Sequence, residues 1–433
     1  DQGDGEKLVF NQSEDEYMEA DRVVNEIIRL TANGAQYKDI ALLYRTNAQS
    51  RILGEKLVMR GIPHRVYGGQ NFYERKEIKD IMAYLKVVNN STDDTYLRRI
   101  INVPKRGIGA TTVGRIQDYA DMMNISFYDA LRVAEEVPSI GRSLSKVDGF
   151  VTFIQSLKSK AQAYSVSELL EEIIDLTGYV DELKAEDTEE SRARVENIDE
   201  LISKTVSYEE TMKAENREAT LSGFLEEIAL IADIDSVDEN QDYVVLMTLH
   251  SAKGLEFPYV YLAGMEDGMF PSSMCIFSGD QSELEEERRL CYVGITRAMK
   301  ELTMTSAQQR MVRGETQYNR VSRFVREIPR ELVDLGHTVQ EHKLKIPETK
   351  SPLNSYLQMK KSFHTKAFQP QNFKVTKADS LDYGVGDTVR HIKFGVGIVK
   401  DIVEGGRDYE VTVDFDKVGV KKMFAAFAKL KKI

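Results

Sequence analysis

The 433-residue sequence contains no tryptophan and only two cysteines, Cys275 and Cys291. The cysteines form no CxxC pair and show no metal-ligand spacing, which argues against a disulfide framework or a zinc site and favours a reducing cytoplasm. The longest apolar runs, at residues 243–249 and 259–265, are far shorter than the ~20 residues needed to span a bilayer. We therefore expect a cytoplasmic protein without a bound metal ion or a membrane partner.

The sequence shows neither a signal-peptide pattern near its start nor a phosphate-binding loop anywhere along its length. The first six residues are acidic and lack an initiator methionine, which argues against a signal peptide and suggests a piece of a longer protein. The phosphate-binding pattern G-x-x-x-x-G-K-[ST] occurs nowhere. The formal net charge of -12 argues against indiscriminate coating of nucleic acid, although local basic surfaces act within a Debye length of ~8–10 Å.

The hydrophobic pattern changes along the chain. Residues 1–85 alternate between helical spacing and short apolar runs, and buried-strand character returns over residues 242–330. This order predicts a parallel α/β sheet. Residues 86–241 show helical, Glu-rich periodicity, which predicts a helical domain inserted between strands of that sheet. Ser13-x-x-Glu16 is a candidate capping box for the first helix.

The composition changes again towards the C-terminus. Residues 331–380 are rich in Lys, Gln, Ser and Pro, which predicts a linker. Between residues 409 and 415, apolar and polar side chains alternate with period two, and Gly405-Gly406 stands where a hairpin turn belongs. We predict a small, strongly bent β-barrel over residues 381–433. The lysines near its end form either a basic tip that binds nucleic acid or an ordinary solvated surface beside a protein-binding groove.

A polar loop follows the apolar strand pattern of residues 244–249. Ligands of open α/β sheets bind beyond the carboxyl ends of strands, where Thr248 and His250 can donate hydrogen bonds to phosphates. Gly254 permits close backbone approach, and Glu256 can accept hydrogen bonds from ribose hydroxyls. The alternative is a strand followed by a polar turn that binds nothing.

A charge run precedes the sequence Ile295-Thr296-Arg297-Ala298. Arg288, Arg289 and Arg297 could pair with the glutamates at 285–287 and form only a solvated helix face. The sharper alternative is an arginine finger, whose guanidinium stabilises charge on a transferring γ-phosphate.

Residues 98–112 have the pattern of a helix-hairpin-helix, a sequence-independent duplex clamp. Pro104 ends one helix, and Thr111 or Thr112 can cap the next. The glycines between the two helices and the N-terminus of the second helix favour the binding of a phosphate. Basic side chains add salt-sensitive contacts. The alternative is a helix corner with a solvated basic edge. The candidate DNA contacts are Lys105, Arg106, Gly107, Ile108, Gly109 and Thr111.

Several of these segments resemble motifs of the PcrA/UvrD/Rep group of superfamily-one helicases. Residues 248–257 (TLHSAKGLEF) resemble motif V, and residues 292–298 (YVGITRA) resemble motif VI, in the family's order. Residues 43–51 (LYRTNAQSR) resemble motif IVa, residues 68–80 the stretch that follows it, and residues 264–271 (GMEDGMFP) the stretch after motif V. The resemblance covers essentially the whole chain, but only the second half of the family's architecture.

The resemblance implies a fold and names its parts. Residues 1–85 and 242–330 resemble the second RecA-like domain, 2A, and residues 86–241 resemble its helical insertion, 2B. Residues 381–433 resemble an SH3/Tudor-like barrel, whose opening matches His391-x-Lys393-Phe394-Gly395-x-Gly397. The first RecA-like domain, with its P-loop lysine, Mg²⁺ carboxylates and catalytic glutamate, is missing, as is motif IV.

The resemblance also implies roles for the nucleotide-side residues. Arg297 matches the arginine finger of motif VI and is the one catalytic residue that the chain would supply. Glu256 matches the motif V residue that contacts the nucleotide ribose, and Gly254 lies in the same loop. ATP and Mg²⁺ are the implied cofactors of the full-length enzyme. We expect this chain alone to hold neither tightly and to be inactive.

On the DNA side, Thr248 and His250 match positions that face single-stranded DNA. Arg45 would bind a DNA phosphate, and Asn47 would contact a sugar or a base. The family's base-stacking aromatics lie mostly in the missing half, so we assign no stacking role.

The expected function is that of the C-terminal half of an ATP-dependent 3′–5′ DNA helicase in repair or replication. The expected partners are single-stranded and forked DNA, the missing N-terminal half and, through the barrel, RNA polymerase. The alternative is a non-enzymatic module that binds DNA junctions and RNA polymerase. A helicase-like subunit of a recombination nuclease is a weaker interpretation, because no carboxylate/lysine cluster follows motif VI.

Overall fold

A large sheet, a block of helices and a small second sheet make up the described part of the chain. The computed structural model describes residues 5–91, 93–234, 242–336, 381–391, 394–404, 409–416, 418–428 and 430–433. In the described residues, no helix is both long and apolar enough to cross a membrane.

The large sheet has the strand order β3-β4-β2-β5-β6-β1-β8, and every pairing along this path is parallel. A further strand, β7, pairs antiparallel with β6. The strands are β1 (Leu8–Asp15), β2 (Ile40–Tyr44), β3 (His64–Val66), β4 (Val244–Thr248), β5 (Phe257–Leu262), β6 (Ala298–Val312), β7 (Glu315–Tyr318) and β8 (Val333–Leu335). All five residues of β2 are buried, as expected for a central parallel strand covered on both faces. The predicted parallel α/β fold is confirmed.

Helices cover both faces of this sheet. They are α1 (Glu16–Ala32), α2 (Ser50–Met59), α12 (Ser273–Phe277), α13 (Gln281–Ile295) and α14 (Arg323–Glu327). The capping-box prediction is wrong, because Ser13 lies inside β1. Asp15 caps α1 instead, and its side chain accepts a hydrogen bond from the Met18 N–H at 2.8 Å.

Between β3 and β4 the described chain contains helices and turns, with no strand. The helices are α3 (Lys76–Asn89), α4 (Asp94–Ile100), α5 (Ala110–Met123), α6 (Phe127–Arg132), α7 (Leu144–Ala161), α8 (Val166–Thr177), α9 (Tyr179–Glu186), α10 (Glu189–Ala214) and α11 (Leu221–Ile234). Their buried side chains form one continuous hydrophobic core. Ile78, Ile81 and Leu85 of α3 belong to that core. The domain boundaries stay predictions.

The small sheet is antiparallel, with strand order β12-β11-β10-β9-β13. Its elements are β9 (Thr388–His391), β10 (Gly395–Glu404), β11 (Tyr409–Phe415), β12 (Gly419–Phe424), α15 (Ala425–Ala428) and β13 (Lys431–Lys432). Val411, Val413 and Phe415 are buried, which confirms the predicted alternation. The barrel contacts α7, and Ala163 packs against its core. Lys393, Gly405-Gly406 and residues 337–380 lie outside the described residues.

Candidate functional site

The polar loop after β4 crosses the sheet from one edge to the other. Thr248 pairs with Tyr44 at the carboxyl edge, whereas Phe257 begins β5 beside Ala298 at the amino edge. A five-residue parallel strand is ~16 Å long, so the two ends of the loop are separated by at least about that distance along the strand direction. Gly254 lies between these two ends, two residues after Ala252, whose N–H bonds to the Thr248 carbonyl, and one residue before Leu255, whose carbonyl accepts from Arg297.

Arg297 lies at the amino edge, just after α13, and makes no ion pair with any described residue. Its Nε donates to the Val293 carbonyl, and its two terminal nitrogens donate to the Leu255 carbonyl and the Thr296 hydroxyl, each at 2.9 Å. These neutral acceptors fix the side chain but leave its positive charge uncompensated.

The neighbouring arginines behave differently. Arg288 pairs with Glu285 and, at 2.9 Å, with Glu327. Arg289 pairs with Glu286 at 2.9 Å. For these two residues the solvated charge run is the correct interpretation, and Arg297 is the exception.

The motif V loop is fastened to Arg297. The backbone N–H of Phe257 donates to the Arg297 carbonyl at 2.9 Å, and the Arg297 side chain holds the Leu255 carbonyl, so contacts lie on both sides of Glu256. Glu256 is exposed. Gly254 has φ +88°, and an added Cβ would meet no described atom within 4 Å. The structure thus brings an exposed carboxylate, an open backbone segment and an uncompensated guanidinium together at one edge.

Close packing explains how α13 meets this loop. A Cβ atom added at Gly294 would collide with the Leu249 side chain, so a glycine at this position lets α13 approach the loop. Real Cβ atoms essentially never show such a contact, so a larger side chain at this position would force Leu249 or the helix to shift.

Arg45 and Asn47 follow β2 at the carboxyl edge. The Arg45 side chain pairs with Glu287 of α13, with Nε and one terminal nitrogen 2.8 and 2.7 Å from Oε1. Burial opposes the charge of Arg45, but Glu287 outweighs it and raises the Arg45 pKa. The Asn47 amide oxygen lies 3.5 Å from a terminal nitrogen of Arg75.

Thr248 and His250 lie at the same carboxyl edge. The Thr248 hydroxyl is 3.1 Å from the Ser251 hydroxyl and also accepts from the Ser251 N–H at 3.3 Å. His250 is exposed, and its pKa is lowered from 6.5 by partial burial first and by the charge of Arg45 second. His250 therefore lies within electrostatic reach of Arg45, and the two predicted DNA-side strand ends form one surface.

The predicted hairpin places its two basic residues in opposite environments. Lys105 is exposed and makes no ion pair with the described residues. The Arg106 guanidinium turns inwards, where it donates to the Ile100 carbonyl at 2.8 Å and the Tyr84 hydroxyl at 2.5 Å. It also lies 5.5 Å from the ring centre of Phe150. The phosphate contact predicted for Arg106 does not fit this geometry, because its donors stabilise the helical core.

The hairpin leads into an uncapped helix N-terminus. Gly109 is the N-cap of α5, with no side-chain capping hydrogen bond. The predicted cap at Thr111 or Thr112 is therefore wrong, because both lie inside the helix. Thr111 is exposed, and Ile108 is buried and can contact DNA only through its backbone. Lys105, Gly107, Gly109 and Thr111 remain together on the exposed side.

Three residues that the motifs did not single out help to shape these sites. Gln49 accepts hydrogen bonds from the Arg45 and Thr46 N–H groups at 2.9 Å. Glu287 holds Arg45 from a distant helix. Lys146 of α7 donates to the Gly107 carbonyl at 3.2 Å. Gln49 follows Arg45 within motif IVa and could have been noticed, whereas no sequence signal connects positions so far apart as Arg45 and Glu287.

The described residues contain no group of three His, Cys, Asp or Glu side chains arranged to hold a metal ion.

Comparisons with known proteins agree with the motifs. The family model of the UvrD-like helicase C-terminal domain matches residues 1–309, and that of the PcrA/UvrD tudor domain matches residues 385–432. The chain is 43% identical over 431 residues to the ATP-dependent DNA helicase PcrA of Staphylococcus epidermidis strain RP62A, covering 99% of this chain and 56% of the relative. It is 41% identical over 429 residues to PcrA of Staphylococcus aureus strain Mu50, covering 99% and 57%.

The chain thus spans about half the length of the curated relatives that it matches. The first family model covers most of the chain, including strands β1 to β5, most of β6 and the helices between β3 and β4. The second covers nearly all of the small sheet. The chain belongs to the UvrD-like helicase family, and it corresponds to the C-terminal part of a PcrA/UvrD DNA helicase.

Proposed function

We propose that this chain supplies the arginine finger, part of the single-stranded DNA track and the duplex clamp of an ATP-dependent 3′–5′ DNA helicase. The observation that carries the proposal is the state of Arg297. Its guanidinium is fixed by neutral acceptors at the amino edge of the sheet, without a carboxylate partner among the described residues. A positioned, uncompensated arginine suits stabilisation of charge that develops on a phosphoryl group.

The amino edge fits a nucleoside triphosphate. Arg297 would face the terminal phosphate, the open backbone at Gly254 would allow close approach, and the exposed Glu256 carboxylate would accept hydrogen bonds from the ribose. ATP with Mg²⁺ would supply the free energy of phosphoryl transfer. The remaining wall of the nucleotide site would come from a P-loop domain outside this chain.

The carboxyl edge fits single-stranded DNA. Arg45 and His250 offer nitrogen donors and positive or titratable charge, while Thr248 and Asn47 offer hydroxyl and amide groups for phosphates, sugars or bases. The two edges are ~16 Å apart along the strands. Separate edges allow the nucleotide and the DNA strand to be bound at the same time on one rigid sheet.

The helix-hairpin-helix fits duplex DNA. The N–H groups at the uncapped start of α5 carry the positive end of the helix dipole. Lys105 adds an exposed positive charge, and Gly109 has no described atom within 4 Å of an added Cβ. We propose that this surface holds the duplex while the strands are separated.

A chimaera with the Staphylococcus aureus relative tests the arginine finger. In it, this chain replaces the part of the relative that it matches. We expect Arg297→Ala to lower the DNA-stimulated ATPase rate by about 10³-fold or more, and Arg297→Lys to rescue little, because lysine lacks the planar fork.

Arg289→Ala is the matched control, because Arg289 is an exposed, ion-paired neighbour; its rate should stay within about twofold of the parent chimaera. Full activity of Arg297→Ala, in a chimaera whose parent hydrolyses ATP, would refute the role of Arg297.

Binding of the 433-residue chain itself tests the DNA surfaces. We would titrate forked and single-stranded DNA across a salt series with the wild type and the Lys105→Ala/Gly109→Ala variant. Preference of the wild type for the fork, lost in the variant, supports the clamp. Equal binding of both DNAs by both proteins would show that the hairpin only connects two helices and does not hold duplex DNA.

The barrel favours a second function, protein docking. Three of its lysines are paired, Lys400 with Asp414 at 3.4 Å, Lys422 with Glu410 at 3.6 Å and Lys432 with Asp387 at 2.5 Å. This pairing weakens the case for a nucleic-acid surface, while Ile398 on the central strand β10 and Val420 on the edge strand β12 expose apolar side chains. We propose RNA polymerase as the partner. Binding of the chain to purified bacterial RNA polymerase, and its loss in Val420→Glu, would support this.

A further inference from the structure

The pair between Arg45 and Glu287 joins two elements that the motifs treat separately. Arg45 follows β2, and Glu287 lies in the middle of α13. Both Arg45 donors, Nε and one terminal nitrogen, reach the same carboxylate oxygen at 2.8 and 2.7 Å. The other terminal nitrogen, Nη1, makes no hydrogen bond to the described residues. Arg45 therefore shows one edge to Glu287 and keeps the other edge free.

Burial makes this pair difficult to separate. The Glu287 side chain is 6% exposed and that of Arg45 is 22% exposed. The second carboxylate oxygen of Glu287, Oε2, is buried without a hydrogen-bond partner in the described structure. A DNA phosphate that pulled Arg45 away would leave Glu287 as an unpaired buried charge, which is strongly unfavourable. A phosphate that binds the free Nη1 edge avoids this penalty.

The other charged groups around Arg45 leave that edge suited to an anion. Glu196 of α10 interacts electrostatically with Arg45, but it does not approach within ion-pair distance. His250 lies on the DNA-side surface. Cys275, which also interacts electrostatically with Arg45, is a free thiol. Glu287 is thus the only described carboxylate that pairs directly with Arg45.

The same helix also leads to the nucleotide side. Arg297 follows α13 by two residues, and its Nε is bonded to the Val293 carbonyl in the last turn. Ten residues separate Glu287 from Arg297, which corresponds to ~15 Å along a helix. A constraint placed on Glu287 at the carboxyl edge therefore acts on the helix that carries Arg297 at the amino edge.

We propose that Glu287 is a positioning residue: it orients the Arg45 guanidinium towards a DNA phosphate, and α13 connects that contact to Arg297. This inference rests on the proposed DNA role of Arg45. It assigns to Glu287 a function that differs from that of its neighbours Glu285 and Glu286, which pair with arginines on the exposed face.

A double-mutant comparison tests the inference. Binding of a single-stranded oligonucleotide is measured across a salt series for the wild-type chain, Arg45→Ala, Glu287→Ala and the double variant. We expect each single variant to bind about three- to tenfold more weakly, with a log affinity–log salt slope shallower by ~0.7, the value for one lost phosphate contact. The double variant should bind no more weakly than Arg45→Ala, because both changes remove one contact.

The possible outcomes separate the two proposals. Unchanged binding by Arg45→Ala would refute the DNA role of Arg45 and leave nothing for Glu287 to position. Weaker binding by Arg45→Ala, with unchanged or tighter binding by Glu287→Ala, would overturn the inference alone. Glu286→Ala is the matched control and should bind like the wild type.

Two further measurements guard against a purely structural effect. If Glu287→Ala does not fold, as judged by thermal unfolding, Glu287→Gln decides: its affinity should lie between those of the wild type and Arg45→Ala, and wild-type affinity overturns the proposal. In the ATPase chimaera, Glu287→Ala should raise the DNA concentration for half-maximal stimulation about three- to tenfold. An unchanged half-maximal concentration in a folded variant would overturn the proposal.

Discussion

Four arginines of this chain lie in four different environments. Arg297 is held by neutral oxygens, and Arg45 by a single carboxylate. Arg106 is enclosed by carbonyls and aromatic rings, and Arg51 is buried between two carboxylates. The uncompensated charge of Arg297 and the free edge of Arg45 suit them to bind a ligand, whereas Arg106 and Arg51 hold the fold together.

His250 gives a prediction at the residue scale. Its pKa is lowered from 6.5, so the side chain is neutral at pH 7 and gains a proton only at lower pH. A nearby DNA phosphate favours the charged form, so DNA binding is coupled to proton uptake. We expect the affinity for single-stranded DNA to rise as the pH falls from 7.5 to 5.5 in binding titrations at constant ionic strength.

His250→Gln is the control for this prediction, because it removes the titrating group and keeps a polar side chain. Its affinity should change less over the same pH range. If the wild type and the variant show the same pH dependence, His250 does not contact the DNA backbone. Folding stability changes with pH in the opposite direction to DNA affinity. Because protonation of a group with a depressed pKa lowers stability, unfolding temperatures must be measured at each pH.

At the scale of elements, the hairpin before α5 depends on two glycines for different reasons. Gly107 has φ +72°, and an added Cβ would lie 2.6 Å from the Lys146 Nζ. Gly109 has φ -82° and no described atom within 4 Å of an added Cβ. The first glycine is required by the turn, and the second leaves space outside it.

These two positions yield matched variants. We expect Gly107→Ala to lower the free energy of unfolding by about 1–2 kcal/mol, because alanine is strained in the left-handed region. Gly109→Ala should change stability by less than about 0.5 kcal/mol but weaken binding to forked DNA, because a methyl group then stands between the backbone and the phosphate. Urea unfolding and fork titrations measure the two effects. Wild-type fork binding by Gly109→Ala would count against a phosphate at this helix end.

At the scale of the whole molecule, a buried polar network joins the sheet to the helical part. Arg51 of α2 contacts Glu55 at 3.1 Å and Glu200 of α10 at 2.7 Å, and Lys204 of α10 contacts Glu55 at 3.2 Å. Burial would raise the pKa of Glu55, but Arg51 and Lys204 lower it. The network holds α10 against the sheet, and each buried charge in it is stabilised by an oppositely charged partner.

Removing the central cation should therefore destabilise the molecule strongly. We expect Arg51→Ala to lower the free energy of unfolding by about 3–5 kcal/mol, because Glu200 loses its partner and the buried Glu55 keeps only Lys204. The exposed pair of Arg29 and Glu26 provides the control, and Arg29→Ala should cost less than about 1 kcal/mol. Urea-unfolding midpoints compare the two variants. A loss below about 1 kcal/mol for Arg51→Ala would show that the network relaxes or admits water.

The sequence by itself determined the elements and the family. Helical and period-two spacing depend on neighbours a few residues apart, and so they located the parallel strands, the helical insertion and the barrel strand Tyr409–Phe415. The motif residues were also readable, because each motif is a short continuous segment. The capping of α1 was misplaced by two residues, because β1 extends to Asp15, and strand pairing with β6 is a long-range contact.

Only the tertiary structure decided which side chains are free to act. The motif V loop crosses the sheet because β4 and β5 are both parallel to β2, and this topology separates the proposed DNA side from the proposed nucleotide side. Lys105 and Arg106 are adjacent in sequence, yet one is exposed and the other is directed into the helical core. The partner of Arg45 is 242 residues away, and a contact at that distance depends on how the sheet and its helices pack together.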